Sequence, residues 1–201
     1  SDPTNGPLPK RDVRTARSFG IEPGVSSKAS ICASPGSEKC VLDFIRSAKK
    51  DLFVEHLSLP RYWTNYETME LSSNPIVDEL LAAARRGVKV RVLANDDRVF
   101  SEDGKSVDEK TTNIYLVAEL NKKAKSEGLG LEAALYSPQA TQTSYLHNKG
   151  MMADGKRVFV ASINGTKNSV ESNREIGLDI ETTDGARYFT EVFNYDWENR
   201  Q

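Results

Sequence analysis

The chain is poor in the residues that build metal centres: among its 201 residues there are two histidines and two cysteines. No ligand cluster with zinc spacing can be drawn from them, because Cys32 and Cys40 stand eight residues apart and form no CxxC pair. They are expected to pack as buried free thiols, since a disulfide between them would require an oxidising compartment. A basic excess is also missing. Lys plus Arg number 27 against 29 Asp plus Glu, a net charge of -2. Non-specific nucleic-acid binders draw most of their affinity from phosphate neutralisation, so this balance counts against such a role without excluding a local basic patch. No apolar run approaches the roughly 20 residues that span a bilayer. The N-terminus, SDPTNGP, has neither a basic start nor an apolar stretch, so no signal peptide is visible in the chain as given. There is no internal repeat.

What is present is ordinary globular composition, 38% hydrophobic and 28% charged, in a length that suits one domain with its own core. Residues 1–28 are rich in proline, glycine and serine and lack periodicity. They read as a linker or extended arm, with a single domain over 29–201. From Ala29 strands and helices alternate. "ASICA" is a short strand, and "SEKCVLDFIRSAKK" is a helix with Val41, Phe44, Ile45 and Ala48 on one face. "DLFVEHLSL" is again a strand. Asn74 as cap, Pro75 in the first turn and Gly87 as terminator bound a helix over "IVDELLAAARR", followed by the strand "VKVRVLA". Residues 111–127 make a further helix with Ile114, Val117, Ala118 and Leu120 inward. The strand "LEAAL", a hairpin, the strand "REIGLDIE" and a helix over 186–197 complete the pattern, which specifies an α/β domain with helices covering a mixed or parallel sheet.

The hairpin carries the chemistry. In "SYLHNKGMMADGKRVFVASING" the dipeptide Asp154-Gly155 signals a two-residue type I′ loop. That register sets Met151 against Val158, Lys149 against Val160 and His147 against Ser162. It places His147, Lys149, Ser162 and Asn164 on one face. Four converging polar groups are costly in a core but suit an anion: imidazole attacks or donates a proton, ammonium neutralises phosphate, and hydroxyl and amide add hydrogen bonds. Asp154 belongs to the turn and is expected to be structural.

The spacing His147-x-Lys149-x-x-x-x-Asp154, followed after six residues by Ala161-Ser162-x-Asn164 and then by Asn173 and Glu175, closely resembles the phospholipase D superfamily signature. Alanine at 161 replaces the family's usual glycine, a mild departure. Upstream, "FIRSAKKDLFVEHLSL" and "IVDELLAAARRGVKVRVLA" look like that superfamily's helix-strand units, so the resemblance covers about 29–197. It implies an α/β/α sandwich and a metal-independent phosphodiesterase working through a covalent phosphohistidine, with no cofactor. By the same resemblance His147 is the nucleophile, and Lys149 and Asn164 hold phosphate oxygens. Ser162 touches or orients phosphate, and Glu175 orients His147.

Covalent catalysis splits one displacement into two, and a second histidine must then protonate the leaving group. Only one motif is present, because His56 in "VEHLSLP" is not followed by lysine two residues on. The family's solution is either a two-motif chain or two single-motif chains about a two-fold axis. A homodimer or a second phospholipase D-like domain is therefore the expected partner. The substrate is left open between a phospholipid or small diester and DNA or RNA, as for a family endonuclease. An inactive phosphate-binding module is the remaining alternative. The loop "PRYWTNYETMELSSNP" offers Tyr62, Trp63 and Tyr66 to wall a cleft, stack on bases, touch a membrane surface or pack on its own domain.

Overall fold

A computed structural model describes residues 28–65, 67–100 and 109–201, so the expected N-terminal arm and Tyr66 lie outside the described residues. Nine strands and six α-helices follow in chain order. They are β1 (Ala29–Ser34), α1 (Glu38–Ser47), β2 (Asp51–His56), β3 (Tyr62–Thr64), β4 (Leu71–Ser73), α2 (Pro75–Arg85), β5 (Lys89–Ala94), α3 (Asn113–Glu127), β6 (Leu131–Leu135), α4 (Pro138–Thr141), β7 (Lys149–Ala153), β8 (Arg157–Ala161), α5 (Lys167–Glu171), β9 (Glu175–Glu181) and α6 (Thr183–Glu198).

Seven strands make one mixed sheet in the order β1-β9-β8-β7-β2-β5-β6. β2, β5 and β6 run parallel, as helical crossovers require, whereas β7, β8, β9 and β1 pair antiparallel. Alternation along each strand then divides the core into two layers. Leu52 and Val54 of β2, Met151 and Ala153 of β7 and Phe159 of β8 pack with α1, α2 and α3 on one face. Phe53, Met152 and Val158 meet α6 on the other, where Phe189, Phe193 and Trp197 stack. This is an α/β/α sandwich. α6 crosses this face from β8 to the β5–β6 side and leaves the β9–β1 end uncovered. Beyond it, on β8, β9 and β1, Val160, Ile176, Leu178 and Ile31 stand exposed, Ile31 by 70%.

Three expectations are corrected. α3 buries Leu116, Leu120 and Ala124, an i, i+4, i+8 stripe, and leaves Ile114 exposed and Ala118 outside. Its inward face is therefore rotated from the expected one, with only Leu120 and the partly buried Val117 shared. The cysteines are not free thiols: the turn after β1 brings Cys32 and Cys40 to 5.9 Å between Cα atoms, and they form a disulfide tying the edge strand to α1. The hairpin register is also displaced by one residue. The loop has three residues, Asp154 to Lys156, with Asp154 and Gly155 both at positive φ, so that Ala153 pairs with Arg157, Met151 with Phe159 and Gly150 with Val160. A slip of one residue exchanges faces. Continued outward, the ladder sets Lys149 opposite Ala161, and Val158 and Val160 belong to the α6 face.

Candidate active site

The site lies where β2 and β8 end and β7 and β9 begin. Three buried asparagines fix the connecting loops there. Asn74 caps α2 by accepting from the Ile76 N–H at 3.0 Å, and its amide donates to the carbonyls of Pro60 and Gly165 at 2.7 and 2.8 Å. Asn113 accepts from Leu59 N–H and donates to the carbonyls of Leu57 and Asn95. Asn95 in turn accepts from the Leu146 N–H at 2.9 Å, next to His147. Trp63 donates its indole N–H to the Gly165 carbonyl at 2.8 Å and is buried, so this aromatic of the long loop packs on its own domain. Tyr62 lies under the Arg61 guanidinium and near Tyr115. Gly165 is required by close approach, because a Cβ there would stand 2.4 Å from Leu59 Cδ1 and 3.2 Å from the Ser58 carbonyl oxygen. The Ser162–Gly165 turn is thus clamped against the end of β2.

On this frame the expected residues fall as follows. His147 is exposed, and its ring meets Tyr145 edge-on at 5.6 Å. Lys149 is buried and donates from Nζ to the His147 carbonyl at 2.8 Å. Burial lowers its pKa, against the opposing attraction of Glu175. Glu175 shares the Lys149 face of the sheet. Its carboxylate accepts from Ser162 Oγ, from Ser169 Oγ at 3.1 Å and from the Asn173 amide at 3.3 Å. Burial raises the Glu175 pKa, but these three bonds and the Lys149 charge together bring it below the ordinary carboxylate value. The expected bond from Glu175 to His147 is not formed here. The carboxylate is instead held by the two hydroxyls and the amide.

Two residues that sequence reasoning did not place complete the site. His56 pairs with Lys149 across the β2–β7 ladder and shares its face. Burial, reinforced by the Lys149 charge, takes its pKa down to about 3, so the imidazole is neutral. One cavity is lined by His56, Lys149, Ile163 and Asn164 together with apolar side chains of α1 and α2. Two of its lining residues carry a buried polar atom without a hydrogen-bond partner among the described residues, His56 Nδ1 and Asn164 Oδ1. Ser169 is the other, reaching Glu175 from a five-residue helix too short to read by periodicity.

Asp154 lies at the far end of the hairpin and is structural. Its carboxylate accepts from the backbone N–H groups of Lys49, Lys50 and Asp51, at 2.7 Å from Lys50. Burial raises its pKa, but these bonds outweigh that and leave it depressed. Asp154→Ala is expected to cost about 2 kcal/mol, toward the lower end for a charge-assisted cluster because the group is partly solvated. A carboxyl with a depressed folded pKa stabilises above its unfolded pKa and loses that contribution as pH falls through the folded one. The gap between wild type and variant in denaturant titrations should therefore narrow below about pH 4. A gap that stays constant to pH 2 would contradict the assignment.

Fold and sequence together define an α/β/α domain of the phospholipase D-like class. The chain belongs to the phospholipase D-like family, since the family profile described as "Cardiolipin synthase, PLD-like domain" matches residues 41–197. A curated relative, the mitochondrial cardiolipin hydrolase of Mus musculus, is 27% identical over 114 residues, which are 57% of this chain and 42% of that protein. The match thus spans less than half of that relative's length. The fold is shared with the phospholipase D family member Nuc from Salmonella typhimurium, at TM-score 0.62 and 23% identity over 88% of this chain and 97% of that one. NucT from Helicobacter pylori aligns at TM-score 0.62 and 17% identity, covering 87% and 98%. The phosphatidylserine synthase of Haemophilus influenzae Rd KW20 aligns at 0.60 and 15%, covering 93% and 42%.

Proposed function

We propose that this chain is a metal-independent phosphodiesterase in which His147 forms a covalent phosphohistidine and a second copy of the chain completes the site. The observation that carries the reading is Lys149, a buried ammonium that lines the cavity, forms no ion pair among the described residues and spends one of its three donors on the His147 carbonyl. A buried cation without a bound counter-charge is costly, and a phosphate oxygen at this point satisfies it. An exposed histidine two residues from this lysine favours an active module over an inactive one.

In the first step a His147 ring nitrogen attacks phosphorus, and the bond from phosphorus to the leaving oxygen breaks. The leaving alcohol takes a proton from the imidazolium of His147 in the second copy. That histidine, now neutral, removes a proton from water, whose oxygen attacks phosphorus and expels the His147 nitrogen. Lys149 and the Asn164 amide hold the nonbridging oxygens while negative charge grows on them. Glu175, through Ser162 and its charge on Lys149, orders this end of the site. The exposed strip of Val160, Ile176, Leu178 and Ile31, on the face opposite the Glu175 and Lys149 side chains, supports a protein partner, because apolar surface of this kind marks interfaces.

The test is hydrolysis of a chromogenic phosphodiester in EDTA, with acid-labile phosphate trapped on His147 by rapid quenching. Separate arms with phospholipid vesicles and single-stranded DNA assign the substrate class, and activity on DNA should fall with added salt. Activity that vanishes in EDTA and returns with zinc or magnesium would overturn the proposal. Glu175→Gln is expected to lower kcat about tenfold or more while KM changes less than about twofold, because the lost charge acts on the site's other groups. An unchanged kcat would remove Glu175 from the site.

A further inference from the structure

Behind the His147–Lys149 segment, on the opposite face of the sheet, lies a buried acidic cluster that the proposed mechanism does not use. Glu55 of β2 is 1% exposed and Asp196 of α6 is 7% exposed. Glu55 pairs with Gly150 across the ladder. A Cβ at Gly150 would stand 2.8 Å from Phe189 Cε2, so α6 is packed directly over this point. The Asn148 amide donates to Glu55 Oε2, while Oε1 has no partner. Asn148 also accepts from the Leu57 N–H through its carbonyl at 2.8 Å. Successive residues therefore alternate in role: Leu146 and Asn148 are anchored on the α6 side, and His147 and Lys149 are left for the other.

We infer that Glu55 is a positioning residue for the reaction, holding the His147–Lys149 segment through its bond from Asn148 and forming with Asp196 a pair of buried carboxyls on that face. The inference rests on the proposed roles of His147 and Lys149. Burial raises both carboxyls, Asp196 to about 7 and Glu55 to about 8, with the Asp196 charge raising Glu55 further and the Asn148 bond opposing. Among the described residues neither carboxyl is in an ion pair. Tyr136, whose phenol is itself raised by burial and by both carboxylates, donates no bond to them. Arg91 of β5 lies over the rings of Phe53 and Trp197. Near neutral pH the pair thus retains protons that ordinary carboxyls have lost. Above about pH 8 it becomes two buried carboxylates that repel each other, a cost relieved by hydration and outward movement that releases Asn148.

The sign follows from the raised values. Between the ordinary carboxyl range and pH 8 the folded chain holds protons that the unfolded chain has lost, so stability declines with rising pH across that window. Glu55→Gln keeps an acceptor for Asn148 and supplies N–H donors toward Asp196, mimicking the protonated acid at every pH. Asn148→Ala cuts the link and leaves the pair in place.

The experiment has one arm that needs no activity. In the wild type the side-chain amide resonance of Asn148 is expected to titrate near pH 8, and in Glu55→Gln to be flat there. In the kinetic arm, wild-type kcat falls through the same pH while Glu55→Gln keeps its value to higher pH. Asn148→Ala lowers kcat about tenfold at pH 7 with KM within about twofold. An Asn148 resonance that is pH-independent in the wild type, or an alkaline step that survives in Glu55→Gln, would overturn the inference. Should no phosphodiester be hydrolysed by the wild type, the functional reading fails, and the resonance arm alone decides the Glu55–Asn148 coupling.

Discussion

Replacing His147 by alanine is expected to lower phosphodiester hydrolysis by at least about 10⁴-fold, the scale on which loss of a nucleophile acts when the other groups remain. The imidazole is exposed, forms no hydrogen bond among the described residues and meets the Tyr145 ring edge-on. Thermal unfolding should therefore be unchanged to within about 0.5 kcal/mol, as for surface positions generally. Lys149→Ala should give a comparable kinetic loss with a different structural signature. Its Nζ bond to the His147 carbonyl disappears, and the buried space it fills beside His56 and Asn164 opens. A small stability change of either sign is then expected, since a costly buried charge is removed along with its packing. Activity in purified His147→Ala, free of wild-type contamination, would remove the phosphohistidine from the mechanism. Activity in Lys149→Ala alone would leave the nucleophile and transfer charge neutralisation to another cation.

What could be read in the sequence follows from how local each feature is. The α2 boundaries were legible because a capping asparagine, a first-turn proline and a terminal glycine each act within one helical turn, and the helix runs from Pro75 to Arg85 between them. The pairing of β7 with β8 was legible too, but not its register. An Asp-Gly dipeptide indicates a two-residue turn, yet Asp154 spends its carboxylate on N–H groups of Lys49, Lys50 and Asp51, more than 100 residues earlier. That tertiary anchor fits a three-residue loop and moves Phe159, not Val158 or Val160, to the Lys149 face. His56 was visible only as a histidine lacking a following lysine. Its significance comes from the β2–β7 ladder, which sets it beside Lys149. Ser169 and the Glu55–Asn148 bond depend likewise on contacts between segments distant in the chain, for which a single sequence carries no periodic signal. Spacing pointed to the candidate residues, and the neighbours that surround them emerged only once the strands were paired.

The shared site is tested most sharply by mixing chains. If two copies build one centre, the catalytic cycle uses His147 twice, once as nucleophile and once as acid. A heterodimer of wild type and His147→Ala then has one histidine where two are needed and is inactive. Equal amounts that exchange freely give about a quarter wild-type homodimer, about half heterodimer and about a quarter mutant homodimer. Activity per wild-type chain should therefore fall to about half of its unmixed value, and total activity to about a quarter of that of an all-wild-type sample. Independent monomeric sites would leave total activity at about half. Combining His147→Ala with Lys149→Ala chains should restore nothing, because the heterodimer still lacks one histidine and one lysine. The interface is probed in parallel by Ile176→Lys. That side chain is 55% exposed in the single chain, so a charge there leaves the fold intact while disrupting an apolar contact between copies. Wild type should run as a dimer by native mass, and Ile176→Lys should run as a monomer with little activity. A monomeric wild type that retains half its activity on mixing would overturn the two-copy centre, and would make His147 work with an acid of its own chain.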